Sequence, residues 1–143
     1  MRSRSRRLFW AVLFIAAIAL SWLWGTTRVA IESIQFDLGR IGESIYEAHA
    51  RDGRWPARIA DLEGTTYLNM PYRRSALEDG AFVVVWQEDL DPDPAANRDR
   101  VLAYDDGSLF ARLGLVWGCW GDLRVARVDA ERIAVLEQES VRR

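Results

Sequence analysis

Three sets of side chains have the types and spacing to do chemistry. Glu88, Asp89, Asp91, Asp93 and Asp99 crowd the stretch EDLDPDPAANRDR, and calcium is bound by several such oxygens at once. Asp89, Asp91 and Asp93 are the calcium candidates. Their spacing is not that of a helix–loop–helix calcium loop, and Pro92 and Pro94 constrain the backbone between them, so a solvated acidic loop is the competing reading. Cys119 and His49 are the one cysteine and the one histidine, and a thiolate beside an imidazole would be a nucleophile and its base. Cys119, however, falls between Trp117 and Trp120 in an expected strand, and His49 falls near the end of an expected helix. A buried thiol and a surface imidazole are therefore expected, with no catalytic residue. Trp55, Trp86, Trp117 and Trp120 offer either a binding patch or core volume, since each buries a large apolar area. Trp86 is assigned to the core. Trp117 and Trp120, three apart, face opposite sides of a strand.

The same counts close off other chemistries. A single cysteine supports no internal disulfide framework and no thiolate zinc site, and a single histidine no histidine-rich metal site. No cofactor is expected, and the chain does not read as an enzyme.

The elements that must position these residues begin with a helix. Ile31, Ile34, Leu38, Ile41, Ile45 and Ala48 recur at intervals of three and four, one apolar seam on an α-helix. Glu32, Asp37, Arg40, Glu43, Glu47 and Arg51 fall mostly off the seam, and Glu47 and Arg51 are placed to pair one turn apart. Gly39 and Gly42 oppose the helix and mark a bend or a close contact. Asp52-Gly53 is a stop signal, and Trp55-Pro56 forces extended backbone, so one helix is expected from about Leu8 to Arg51. Residues 57–63 suggest a helical turn with Ile59 and Leu62 inward, and residues 65–78 read as irregular. Ala81–Gln87 is the clearest strand, with Phe82, Val84 and Trp86 on one face and Val83 and Val85 on the other. Val101–Tyr104 is a second strand. Leu115–Trp120 and Leu123–Val128 form a hairpin around Gly121-Asp122, and Asp129 starts a final helix, Ala130–Glu139, with Ile133 and Leu136 inward. The fold class is α+β: a long N-terminal helix packed on a small antiparallel sheet of about four strands, then a short C-terminal helix.

The 143 residues amount to about one domain, half of it hydrophobic, with 19 basic residues (all Arg) against 21 acidic ones. Four of the arginines lie within residues 1–7, which carry no acid, so the remaining chain is more acidic than the net charge of −2. A basic head on an acidic body excludes a nucleic-acid surface. Leu8–Trp24 carries no charge, and extended to Thr27 it gives about 30 Å of helix, enough to cross a bilayer. Trp10, Trp22 and Trp24 lie near its ends, where interfacial aromatics are favoured. A cleaved signal peptide needs small residues at its exit, and Ser21-Trp22-Leu23-Trp24-Gly25 puts bulky rings there. No cysteine follows the run, so no lipoprotein site does either. Ser5-Arg6-Arg7-Leu8-Phe9 looks like part of a twin-arginine export signal, which would still need a cleavage site. The expectation is an uncleaved anchor crossing the cytoplasmic (inner) membrane once, its N-terminus cytoplasmic and the rest outside.

With these elements in place the chain resembles the type IV pilins and the major pseudopilins of type II secretion. Ile45-Tyr46-Glu47-Ala48-His49-Ala50-Arg51-Asp52-Gly53-Arg54-Trp55-Pro56, followed by Asp61-Leu62, is similar to the segment that follows the pseudopilin helix. Val101-Leu102-Ala103-Tyr104, Trp117–Asp122, Arg124-Val125 and Glu131–Leu136 resemble the C-terminal part of pilin-like proteins of planctomycete-type bacteria, which carry His, nine residues, then Asp-Gly. The family's His falls on Arg112, its Asp on Asp122 and its Gly on Leu123; Arg112 and Asp122 are candidates to pair across the hairpin. The chain departs from the family in having no Gly before the apolar run and no acid before Glu32, so prepilin-peptidase processing and filament assembly through that acid are not expected. The resemblance implies a basic cytoplasmic head (1–7), a transmembrane anchor (8–27) and a pilin-like extracytoplasmic domain (28–143). Major pseudopilins as a class hold calcium in a loop of the sheet domain, which keeps Asp89, Asp91 and Asp93 as candidates beside the preferred solvated-loop reading. It also implies a structural or accessory role in secretion or surface assembly, with the lipid bilayer and other pilin-like or secretion-system subunits as partners. A stand-alone anchored module that recognises a protein or envelope component is the alternative.

Overall fold

The computed structural model describes the backbone of residues 2–141 and the side chains of residue 10 and residues 12–138. In chain order the elements are helix α1 (Arg2–Asp52), a 3-10 turn (Ile59–Leu62), α2 (Arg73–Glu78), β1 (Phe82–Val84), a 3-10 turn (Pro94–Asn97), β2 (Val101–Asp105), α3 (Leu109–Arg112), β3 (Trp117–Trp120), β4 (Val125–Arg127) and α4 (Ala130–Val141). The chain divides into two compact units, Met1–Ser33 and Ile34–Arg143.

The first unit is the apolar part of α1. Val12, Phe14, Ile15, Ile18, Leu20, Trp22, Leu23 and Trp24 are all exposed, and α1 is long and apolar enough to cross a membrane. Its polar end is self-contained. The hydroxyls of Thr26 and Thr27 donate to the carbonyls of Trp22 and Leu23 in the preceding turn, and Arg28 pairs with Glu32 at 2.8 Å.

The second unit is built on the other half of α1. Leu38, Ile41, Ile45 and Ala48 of the expected seam are buried and face the sheet, while Ile31 and Ile34 are half-buried. Gly42 explains the helix-breaking glycine on that face: a Cβ there would overlap Sγ of Cys119 and meet Leu123 Cδ2 at 3.2 Å. The helix gives up about 1 kcal/mol of propensity at that position and gains a close approach to β3. Asp37 departs from the solvent-facing pattern; it is buried and paired with Arg73 of α2. α1 ends as its sequence indicates: Gly53 adopts φ +67 and donates to the carbonyl of His49 at 2.8 Å.

The sheet is an antiparallel meander in the order β1-β2-β3-β4. One face, with Phe82, Val84, Leu102 and Cys119, packs on α1; the other, with Val83, Val85, Val101, Tyr104 and Trp120, packs on Ile133 and Leu136 of α4. The expected alternation in β1 holds, but the strand is shorter than Ala81–Gln87. Beyond Val84 the Val85 N–H still donates to the Leu102 carbonyl at 2.8 Å, and the Gln87 side-chain amide then donates to the Val101 carbonyl at 2.8 Å without strand geometry. β3 ends at Trp120 as expected but starts at Trp117 and not Leu115, β4 is shorter than expected at both ends, and α4 runs to Val141.

Two local expectations are corrected. Residues 65–78 are not wholly irregular, since α2 occupies Arg73–Glu78 and is held by an Arg74–Glu78 pair and by burial of Leu77. Glu47 and Arg51 do not pair with each other. Glu47 accepts the Thr66 N–H at 3.0 Å, while Arg51 pairs with Asp52 and donates to the carbonyls of Asp61 and Glu63. Both side chains pin the 57–66 segment back onto α1, which offers more partners than one exposed pair.

Candidate interaction site

The acidic loop is internally committed. Asp89 receives a two-point bond from Arg100 at 2.9 and 2.8 Å. Asp91 Oδ1 accepts the Asp93 N–H at 2.8 Å, and Asp93 Oδ1 caps the Pro94–Asn97 turn by accepting the Ala95 N–H. Asp99 lies 3.7 Å from Arg98, and Glu88 is exposed. These carboxylates serve the loop's own backbone and neighbouring arginines, and among the described residues no group of three or more His, Cys, Asp or Glu is placed to hold a metal.

The side chain that organises the loop is Asn97, which the sequence pattern did not single out. Its Oδ1 accepts the Asp91 N–H at 3.0 Å, and its amide donates to the Asp91 carbonyl at 2.7 Å and to the Tyr46 hydroxyl at 2.8 Å. Tyr46 Oη in turn donates to the Gly121 carbonyl at 2.7 Å. A Cβ on Gly121 would overlap the backbone and Cβ of Asn97, so glycine is required where the hairpin closes on the loop. Burial raises the Tyr46 pKa, so the hydroxyl stays protonated and available as donor. Three segments distant in sequence meet here.

Cys119 and His49 stay apart in role. Cys119 is fully buried against Gly42, and desolvation pushes its thiol up to about 12. The sulfur is therefore a packing group and not a nucleophile. His49 is half-buried rather than on the surface; its ring stacks on Trp55 at 3.8 Å, with Trp55 edge-on to Tyr46 at 5.3 Å. Arg112 and Asp122 do not pair. Asp122 lies 3.5 Å from Arg124 and accepts its N–H, while Arg112 is on α3, in the connection at the opposite end of β3. Leu123, at the family's glycine position, has φ +65, a left-handed conformation that glycine adopts without strain. Trp117 and Trp120 face opposite sides of the sheet, Trp117 toward α1 and Trp120 toward α4. Trp86 is partly buried on the α1 side, as assigned.

A groove of about 310 Å³ lies between α4 and the β1–β2 edge, lined by Val83, Val85, Trp86, Arg100, Arg132 and Leu136. It combines apolar walls with the side chains of two arginines, Arg100 and Arg132.

No family model, curated protein or solved structure matches the chain.

Proposed function

We propose that the protein is a non-enzymatic, membrane-anchored, pilin-like protein with a structural or accessory role in secretion or surface assembly. The observation that carries this reading is the division of α1: its first part is apolar and exposed, and its second part walls the core of a four-stranded antiparallel meander. The left-handed backbone of Leu123, at the family's glycine position, supports it further. The arginines of residues 1–7 hold the N-terminus in the cytoplasm, residues 8–27 cross the inner membrane, and the domain from residue 28 lies outside. Its partners are the bilayer and the helices of other pilin-like or secretion-system subunits.

The intact mass and N-terminus of the protein extracted from its native membrane test this. The mass of the full chain, with or without Met1, together with resistance to alkaline extraction, is expected. A cut near Gly25 removes the anchor and overturns the reading.

A second reading is an anchored module that recognises a protein or envelope component. The groove beside α4 favours it. Substituting the exposed groove residue Arg132 by Glu reverses the charge there: loss of a co-purifying envelope component with the assembly phenotype intact supports the module, and the reverse supports assembly.

A further inference from the structure

α1 crosses the sheet in a definite direction. A Cβ on Gly39 would meet Val125 Cγ2 at 3.7 Å, one on Gly42 would overlap Sγ of Cys119, and the Tyr46 hydroxyl reaches the carbonyl of Gly121 in the β3–β4 turn. The helix and β3 therefore run the same way, and Ile34–Leu38 lie toward the end of the sheet where Trp117 pairs with Arg127. That end also holds the connection between β2 and β3, because β2 finishes there at Asp105.

This connection carries Leu109 and Leu113, each 68% exposed, and Leu115. Leu109 and Leu113 are the most exposed large aliphatic side chains among the described residues of Ile34–Arg143. Phe36, on α1 at the same end, is half exposed. Among the described residues, no exposed large hydrophobic side chain occurs in the opposite turn, residues 121–124, or in residues 53–66 beyond the end of α1. The leucines are not loosely held. Ser108 caps α3 by accepting the Ala111 N–H, the buried Asp105 carboxylate accepts from both the N–H and the hydroxyl of Ser108, and Gly114 closes the turn at φ +78. A braced loop thus presents apolar side chains to solvent at one end of the unit, and patches of this kind mark interaction sites.

We propose that this end of the folded unit rests on the lipid surface, with Leu109, Leu113, Leu115 and Phe36 entering the interfacial region. The inference rests on the anchor reading above, in which the membrane-crossing segment ends at Thr27. On that reading six residues, 28–33, connect the membrane-crossing segment to the unit, a chain length of at most about 20 Å. Arg112 and Arg127 lie at this end, but so do Asp106 and Asp129. With both signs present, the apolar side chains carry the association and anionic lipid is not needed.

The test uses the full chain in phosphatidylcholine vesicles. Because Cys119 is buried, Leu113→Cys and Arg98→Cys variants take an environment-sensitive fluorophore at the new site. Arg98 belongs to the opposite end, next to the Asn97–Gly121 contact. Headgroup-attached nitroxide lipid is expected to quench the Leu113 label, placing it within about 10 Å of the headgroups. It should leave the Arg98 label unquenched and act equally at low and high salt. In a Leu109→Asp variant carrying the Leu113 label, quenching should be lost while co-flotation with vesicles and far-UV circular dichroism persist. Equal quenching at both sites overturns the proposal. So does a Leu113 label shielded from aqueous quencher only at high protein-to-lipid ratio, which would mark a second copy as the occupant. A chain that does not co-float at all overturns the anchor reading itself.

Discussion

Gly42 and Cys119 meet where α1 crosses β3, and their contact leaves no room for a side chain on the helix. Gly42→Ala gains about 1 kcal/mol of helix propensity but forces a methyl group into a filled seam, which costs about 1–3 kcal/mol. A net loss of about 0–2 kcal/mol is expected by urea unfolding in detergent. Adding Cys119→Ala should recover part of it, so a double-mutant cycle reads the contact directly. Additive losses would place the strain elsewhere.

Tyr46→Phe removes one oxygen and strands two partners, the Gly121 carbonyl and one Asn97 amide hydrogen. The expected loss is about 1–2 kcal/mol, larger than an exposed tyrosine would give. Amide exchange should quicken in the 91–97 loop and at the hairpin turn together. Exchange that quickens at only one of the two would mean the hydroxyl does not couple them.

Asp61 sets a sign for acid behaviour. The Ala57 N–H is the chief cause of its lowered pKa, with Arg54 and Arg58 adding in the same direction against its burial. A carboxylate depressed in the folded state contributes stability that is complete above its unfolded value, about pH 4, and is lost as pH falls through its native value. Asp61→Asn should therefore be less stable than the parent at pH 6, with the gap narrowing below about pH 4. Thermal melts of both proteins from pH 6 to pH 2 check this; a gap that widens on acidification would contradict the assigned cause.

Much of this architecture was legible because it rests on periodicity. The seam from Ile34 to Ala48, the alternation through Phe82–Val85 and the stop at Gly53 each follow from local geometry. The short helices α2 and α3 were not legible: each buries at most one large side chain, too little to imprint a period. The acidic loop misled for a related reason. Composition showed five carboxylates, whereas their directions depend on Asn97 and Arg100, whose partners are set by the tertiary fold. The Tyr46–Asn97–Gly121 junction joins residues up to 75 positions apart, and no spacing within one chain segment encodes it.

Leu123 offers an inverted substitution order. Its left-handed backbone costs a branched residue about 1–2 kcal/mol that glycine does not incur, while its side chain packs on the α1 face of the core. Alanine keeps the strain and loses the packing. Leu123→Gly is therefore expected to be at least as stable as Leu123→Ala, against the usual ranking. Melting temperatures of the two variants decide it, and a clearly more stable alanine variant would show the backbone to be relaxed.

The seam along Leu38, Ile41, Ile45 and Ala48 has a mechanical consequence. The helix that carries the apolar stretch is also one wall of the core, and it runs in the same direction as β3. Tension applied at Ile34, where this unit begins, runs along the axis of the seam's own helix, so all the seam contacts are loaded at once in shear and are not peeled one by one. The Tyr46 hydroxyl bond to Gly121, near the far end, acts as the last catch before α1 could slide. Resistance to pulling along α1 from Ile34 should thus exceed resistance to pulling from α4, whose apolar packing on the sheet, among the described residues, is through Ile133 and Leu136.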